Sequence, residues 1–172
     1  VVVDEIVSSS EDVIVVTAQH ASAGLGHIDI LSDSGAVLRA TDRWTYIAEG
    51  RVSSIVPPSG QLDTEVVIQG SNLLGGGSSF DRIMLGDFGP KSVVEWNNTY
   101  VKLIIDDKPA ASNQDVVFYA DTGAVVTGAG IWTYLEKGDI ASVFPATGQE
   151  GTRVTISGER LLGGGDSIIS VT

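Results

Sequence analysis

The sequence predicts an all-β protein made of short-stranded sandwiches in tandem. Three observations point there. Val, Ile and Thr are common, Gly reaches 21 of 172 residues, and long Ala/Glu/Lys/Leu runs are missing, a balance that favours strands and turns over helices. Short segments alternate apolar and polar residues and stop at Gly, Pro or Asn. The chain also matches itself at a fixed offset.

That offset is 88 residues. It pairs Trp44–Tyr46 with Trp132–Tyr134, both "WTY", and "DSGAV" (33–37) with "DTGAV" (121–125). It pairs Pro57 with Pro145, Gly60-Gln61 with Gly148-Gln149, "TEVVIQG" (64–70) with "TRVTISG" (152–158), and the two "LLGGG" stretches. No gap is needed. A unit begins near Arg51 and again near Asp139. Residues 51–138 are therefore expected to be one complete unit, 1–50 the rear of a preceding one and 139–172 the front of a following one, as in a window cut from a longer array.

Within the complete unit, "RVSSIVPPSGQ" reads as a strand ended by Pro57-Pro58 and a turn at Ser59-Gly60. In "TEVVIQG", Val66 and Ile68 share one face, so this is a half-buried strand. "RIMLGD" is another. "KSVVEWNNTYVKLIID" gives two strands around a hairpin turn at Asn97-Asn98, since Asn tolerates positive φ. "DVVFYAD" is stopped by "TG", and "GIWTYL" closes the unit with Trp132 and Tyr134 on one face. Six or seven short strands without a helix make a β-sandwich of immunoglobulin-like outline. The chain has no Cys, so packing alone must hold the core.

The glycine-rich stretches, with Gly75 and Gly163 at their heads, follow a strand directly. Leu73 and Leu74 are expected to close the core while the glycines turn the chain sharply. A phosphate cradle would need Gly-Lys-Ser/Thr and a helix behind it. Here Ser78-Ser79-Phe80 follows once and Asp166-Ser167-Ile168 the other time.

The order I-x-x-V/I-x-P-x-x-G-Q-x-x-T-x-V-x-I-x-G-x-x-L resembles the front of an IPT/TIG domain. Pro57, Gly60, Gln61, Gly70 and Leu73 carry it first, with Ile55, Thr64, Val66 and Ile68 between them. Pro145, Gly148, Gln149, Gly158 and Leu161 carry it again. The resemblance spans nearly the whole chain. It implies a binding or spacer module without shared catalytic residues, and an extracellular or cell-surface setting for tandem arrays.

The chemistry of single residues agrees. A net charge of −12, with ten scattered Lys and Arg, opposes nucleic-acid binding, which depends on phosphate neutralisation. No apolar run approaches a membrane span. The chain opens at Val1 without a signal peptide, as a processed or excerpted segment would. His20 and His27 have Lys108 and Asp115 at the matching positions, so the repeat does not keep them, and no nucleophile motif surrounds them. No catalytic, cofactor or metal residue is expected. Calcium needs six to eight clustered oxygens, and no D-x-D-x-D-G loop occurs; an ion at a junction between units is left open. Asp33 and Asp121 read as ordinary turn residues. Asn97-Asn98-Thr99 is an N-glycosylation sequon, which makes Asn97 a candidate acceptor in a eukaryotic source. Trp44 and Trp132 are assigned to the core. Trp96, opposite Ser8, is also assigned to the core, with an exposed ligand contact as the alternative.

The expected function is a non-enzymatic structural or adhesive segment of stiff beads in a fibre or stalk, with neighbouring repeats and self-association as its contacts. The alternatives are a glycan- or protein-binding module and an accessory region of a larger secreted enzyme. The partial units of 50 and 34 residues together come close to one unit. If the chain ended here, the rear of one molecule would complete the front of the next.

Overall fold

A computed structural model describes residues 3–172. The described residues form strands and turns without a helix. The chain divides into two compact units, one up to Glu49 and one from Gly50 to Thr172.

The first unit is a pair of hairpins. Strands β1 (Val3–Ser9) and β2 (Ile14–Ala18) pair antiparallel, as do β3 (Gly24–Leu31) and β4 (Val37–Tyr46). The Ser10 amide donates to the Val13 carbonyl at 2.8 Å, closing the first turn. Across the second hairpin, Arg39 and Asp29 form a two-pronged ion pair with both bonds at 2.6 Å.

The second unit holds the sandwich. Its strands are β5 (Arg51–Val56), β6 (Ser59–Gly60), β7 (Glu65–Ser71), β8 (Phe80–Leu85), β9 (Ser92–Trp96), β10 (Tyr100–Ile104), β11 (Ala111–Ala120) and β12 (Val125–Tyr134). One sheet has the order β5-β7-β10-β9 and the other β6-β12-β11-β8. A further hairpin, β13 (Asp139–Phe144) with β14 (Thr155–Glu159), follows.

The expected alternation sets the core. Val66 and Ile68 of β7 are fully buried and lie opposite Leu103 and Val101 of β10. Val116 and Phe118 of β11, with Trp132 and Tyr134 of β12, close the core from the other sheet. The Trp132 and Tyr134 rings meet edge to face at 5.6 Å, a favoured aromatic geometry.

Two local expectations differ. Ser59-Gly60, read as a turn, forms a short parallel pairing with Thr133 and Tyr134 and so joins the second sheet. The last strand starts at Val125, not near Gly130, and carries a bulge. There the Gly130 amide, at φ +63°, donates to the Asp115 carboxylate at 2.7 Å. Two steps along β11, from Val116 to Gln114, oppose four along β12, from Gly128 to Trp132; the two extra residues are an even number, so Val126 and Trp132 stay on one face.

Burial pushes the Tyr134 hydroxyl up to about 12, helped by the Asp106 charge. The hydroxyl donates to the Leu85 carbonyl at 3.2 Å. The unfolded chain ionises this group near pH 10. The neutral tyrosine's contribution is therefore complete below about pH 10 and lost as pH rises toward 12. Melting curves between pH 9 and 12 are expected to fall, and Tyr134→Phe is expected to flatten that fall.

Candidate functional site

The glycine-rich loop after β7 is tied to the turn between β11 and β12. The Asp121 carboxylate accepts the Ser78 hydroxyl at 2.6 Å, the Ser79 hydroxyl at 3.1 Å and the Ser78 amide at 3.1 Å. These bonds, chiefly the one from the Ser78 hydroxyl, hold its carboxyl below the usual carboxylate range. Gly75 and Gly76 take φ of +52° and +84°. Gly77 has ordinary φ, but a Cβ there would fall on the Asp121 carboxylate. The three glycines thus answer two needs, a left-handed turn and room for a carboxylate. Asp121 does more than ordinary turn chemistry, and the sequence did not signal it: the second glycine stretch reads "GGGDS" (163–167) and the other turn "DSG" (33–35). Asp121→Ala is expected to lower the melting temperature at neutral pH, with the difference from the parent vanishing as pH falls through the carboxylate range.

The signature residues are structural and lie in two small groups. Gly60 sits against Thr64, whose hydroxyl accepts the Gln61 amide at 3.1 Å. Gly70 lies against the Arg51 carbonyl and Leu73, and Leu73 is fully buried as expected. Pro57 follows a cis peptide bond, as does Pro145.

Gln61 also reaches outward. Its Oε1 accepts the Gly138 amide at 2.9 Å. Around the same joint, Arg160 donates to the Lys137 carbonyl at 2.9 Å and faces Glu136 at 3.5 Å. Gly164 packs on Leu135. These contacts fasten the hairpin of residues 139–172 to the sandwich.

The local geometry recurs at the matching positions. Asn72 and Arg160 have φ of +49° and +50°. Gly163 and Gly164 have φ of +60° and +89°. The Gln149 amide donates to Thr152 at 2.9 Å, as Gln61 does to Thr64. Gly148 lies against Thr152, and Gly158 against the Asp139 carbonyl. Leu161, by contrast, is exposed where Leu73 is buried.

The two other tryptophans differ from expectation. Trp44 is 41% exposed and rests edge to face on Tyr46 at 5.8 Å. Residues 3–49 contain no counterparts of β5 and β7, the strands that complete the core around Trp132. Trp96 is 43% exposed, not in the core, because β9 is an edge strand. Its ring meets Phe80 at 5.4 Å. The two aromatics, with Asp81, Arg82, Ile83 and Val93, line a shallow cleft of about 160 Å³ between β8 and β9. Arg82 stacks on Tyr119 at 3.9 Å. This cleft is smaller than the usual pocket for a buried ligand. Its aromatic wall and charged rim suit a surface contact.

Asn97 is exposed in the hairpin turn between β9 and β10, as expected. Its Oδ1 accepts the Thr99 amide at 2.8 Å and the Thr99 hydroxyl at 2.9 Å. His20 is bonded to Glu49 at 2.5 Å and His27 lies 3.5 Å from Asp29. Among the described residues, no three His, Asp or Glu side chains gather to form a metal cluster, and no helix is long and apolar enough to cross a membrane.

Two four-stranded sheets around a single core define an immunoglobulin-like sandwich. Residues 51–134 match the family model of the IPT/TIG domain, and this segment is an IPT/TIG domain. The match covers one copy of the unit. Among solved structures, the plexin A4 extracellular region, domains 1 to 10, aligns at 18% identity and a TM-score of 0.50, over 76% of this chain and 11% of that one. At that identity the likeness shows the fold alone. An auxiliary nutrient binding protein from Bacteroides ovatus ATCC 8483 aligns at 22% identity and a TM-score of 0.41, over 53% of this chain and 22% of its own. SGBP-B from a complex xyloglucan utilization locus in Bacteroides uniformis aligns at 13% and 0.42, over 87% and 48%. This chain thus spans less than half the length of each of these proteins. No curated protein matches it.

Proposed function

We propose that this chain is a non-enzymatic run of tandem IPT/TIG units in an extracellular or cell-surface protein, where it serves as a stiff structural or adhesive stalk. The joint at residues 135–138 carries the reading. A bond from Gly138 to Gln61, a bond from Arg160 to Lys137 and the packing of Gly164 on Leu135 fix one unit's front on the preceding sandwich. The same signature that folds each unit therefore also sets its neighbour. Nearest-neighbour contacts of this kind turn repetition into stiffness. The charge of −12 keeps parallel stalks apart.

The absence of Cys makes the joint measurable. Spin labels attached at Thr127→Cys and Ser142→Cys are expected to give one narrow distance distribution, and Gln61→Ala to broaden it. A broad distribution in the parent chain would mean loosely strung beads and would end the stiff-stalk reading.

A second reading, a glycan- or protein-binding module, is favoured by the exposed Trp96–Phe80 cleft. Aromatic faces flanked by Asp81 and Arg82 offer both stacking and polar contacts to a sugar ring or a peptide. Trp96→Ala is expected to change stability by less than about 1 kcal/mol. On a glycan array, binding by the parent that this variant loses would favour the second reading over the stalk.

A further inference from the structure

The sequon Asn97-Asn98-Thr99 occupies the turn between β9 and β10, and all three residues are exposed. Its two asparagines are placed differently. Asn98 is built into the fold. Its backbone carbonyl accepts the Leu73 amide at 2.9 Å, its Oδ1 accepts the Leu74 amide at 3.1 Å, and its Nδ2 donates to Asn72 at 3.4 Å. The turn is thereby tied to the glycine-rich loop.

The Asn97 side chain holds nothing outside its own turn. Its Oδ1 takes both the amide and the hydroxyl of Thr99, and its Nδ2 has no hydrogen-bond partner among the described residues. The oxygen is turned back on the chain and the nitrogen is left for other chemistry. An Asx turn of this kind is local, so it does not wait for the sandwich to close.

The hairpin itself does not demand this triplet. At the matching positions, 88 residues earlier, stand Ser9, Ser10 and Glu11. Strands β1 and β2 pair there all the same, with the Val13 amide donating to the Ser10 hydroxyl at 3.1 Å. The bond to Leu74 gives Asn98 a structural role. Nothing comparable does so for the Asn97 amide nitrogen.

We propose that Asn97 is a modification site that carries an N-linked oligosaccharide. The donor is an oligosaccharide joined to a lipid through a diphosphate, and an oligosaccharyltransferase makes the transfer. Asn97 Nδ2 forms a bond to the C1 atom of the first sugar as the bond from C1 to the diphosphate oxygen breaks. The lipid diphosphate leaves with that electron pair, Nδ2 gives one proton to a base of the transferase, and nothing is oxidised or reduced. The amide oxygen is untouched, so both bonds from Thr99 survive. Tyr100, next to the turn, lies opposite Gln69, whereas Gln61 lies beyond the other end of β7 at Glu65. A sugar on Asn97 therefore sits away from the joint at residues 135–138.

Trypsin cuts after Lys91 and Lys102 and releases Ser92–Lys102 as one peptide. From protein isolated from its own source, this peptide is expected at a mass raised by an oligosaccharide, with fragmentation placing the sugar on Asn97. A peptide found only at its unmodified mass, or with its sugar on another residue, overturns the proposal. Variants secreted from a eukaryotic host give the second test. Asn97→Gln and Thr99→Ala are expected to lose the sugar, and Thr99→Ser to keep it. Asn98→Ala is expected to keep the sugar but melt at a lower temperature, because the Leu74 amide loses its acceptor. Asn97→Gln is expected to melt like the unglycosylated parent made in a bacterial cytoplasm. A sugar that survives Asn97→Gln overturns the assignment. The inference shares the extracellular setting of the proposed function but not its stiffness. A sugar-free peptide beside a narrow spin-label distance would leave the stalk reading standing, and a glycosylated chain with a broad distance would leave only this one.

Discussion

Trp132→Ala is expected to destabilise the second unit by about 3–5 kcal/mol, while Trp44→Ala costs less than about 1 kcal/mol. Both tryptophans stand in the same "WTY". Trp132 is fully buried among Phe118, Tyr134 and the β7 and β10 side chains. Its removal leaves a cavity that the two sheets cannot close without parting, and the lost contacts add to the lost transfer energy. Trp44 keeps 41% of its surface in water and leans on Tyr46 alone among aromatic rings. Urea denaturation of dilute, monomeric protein checks this, with near-UV dichroism reporting which tryptophan environment is lost. Equal losses from the two substitutions would mean that the rear half-unit builds a core of its own.

Gly70→Ala is expected to cost about 1–3 kcal/mol. A methyl group there would fall on the Arg51 carbonyl and come within 2.6 Å of Leu73 Cδ2. Neither neighbour can give way easily. Arg51 is held in β5, which pairs with β7 at this point, and Leu73 is fully buried at the end of the core. The Gly70 amide is itself committed to the Thr99 carbonyl at 2.9 Å. The glycine therefore permits close strand approach, and no positive φ is involved. Gly89→Ala is the control, because the atom nearest to an ideal Cβ there is 3.8 Å away. A shift in the urea midpoint for Gly70→Ala, with the slope unchanged, is the expected result.

Most of the sandwich was legible because its causes are local. Alternation in "TEVVIQG" placed Val66 and Ile68 on one face, and the structure buries both. Paired Asn marked the turn between β9 and β10, and "WTY" placed Trp132 and Tyr134 together. Local pattern failed where burial depends on what lies across the gap. Trp96 has the composition of a core residue, but β9 has neighbours on only one side. Trp44 has the sequence context of Trp132 without the strands that cover it.

The candidate sites were less legible still. The carboxylate of Asp121 meets Ser78 across 43 residues, and Gln61 meets Gly138 across 77. No spacing rule connects such pairs, because their proximity is made by strand order. The sequence by itself determined the strand faces, the turns and the recurrence at 88 residues, since these depend on side-chain alternation, on glycine and asparagine backbone freedom, and on identity between copies. Only the tertiary structure decided which copy of each motif is buried, which glycine makes room for a carboxylate and which glutamine holds the Gly138 amide. Those outcomes depend on which side chains and strands face one another in space, and a single strand carries no record of its partner.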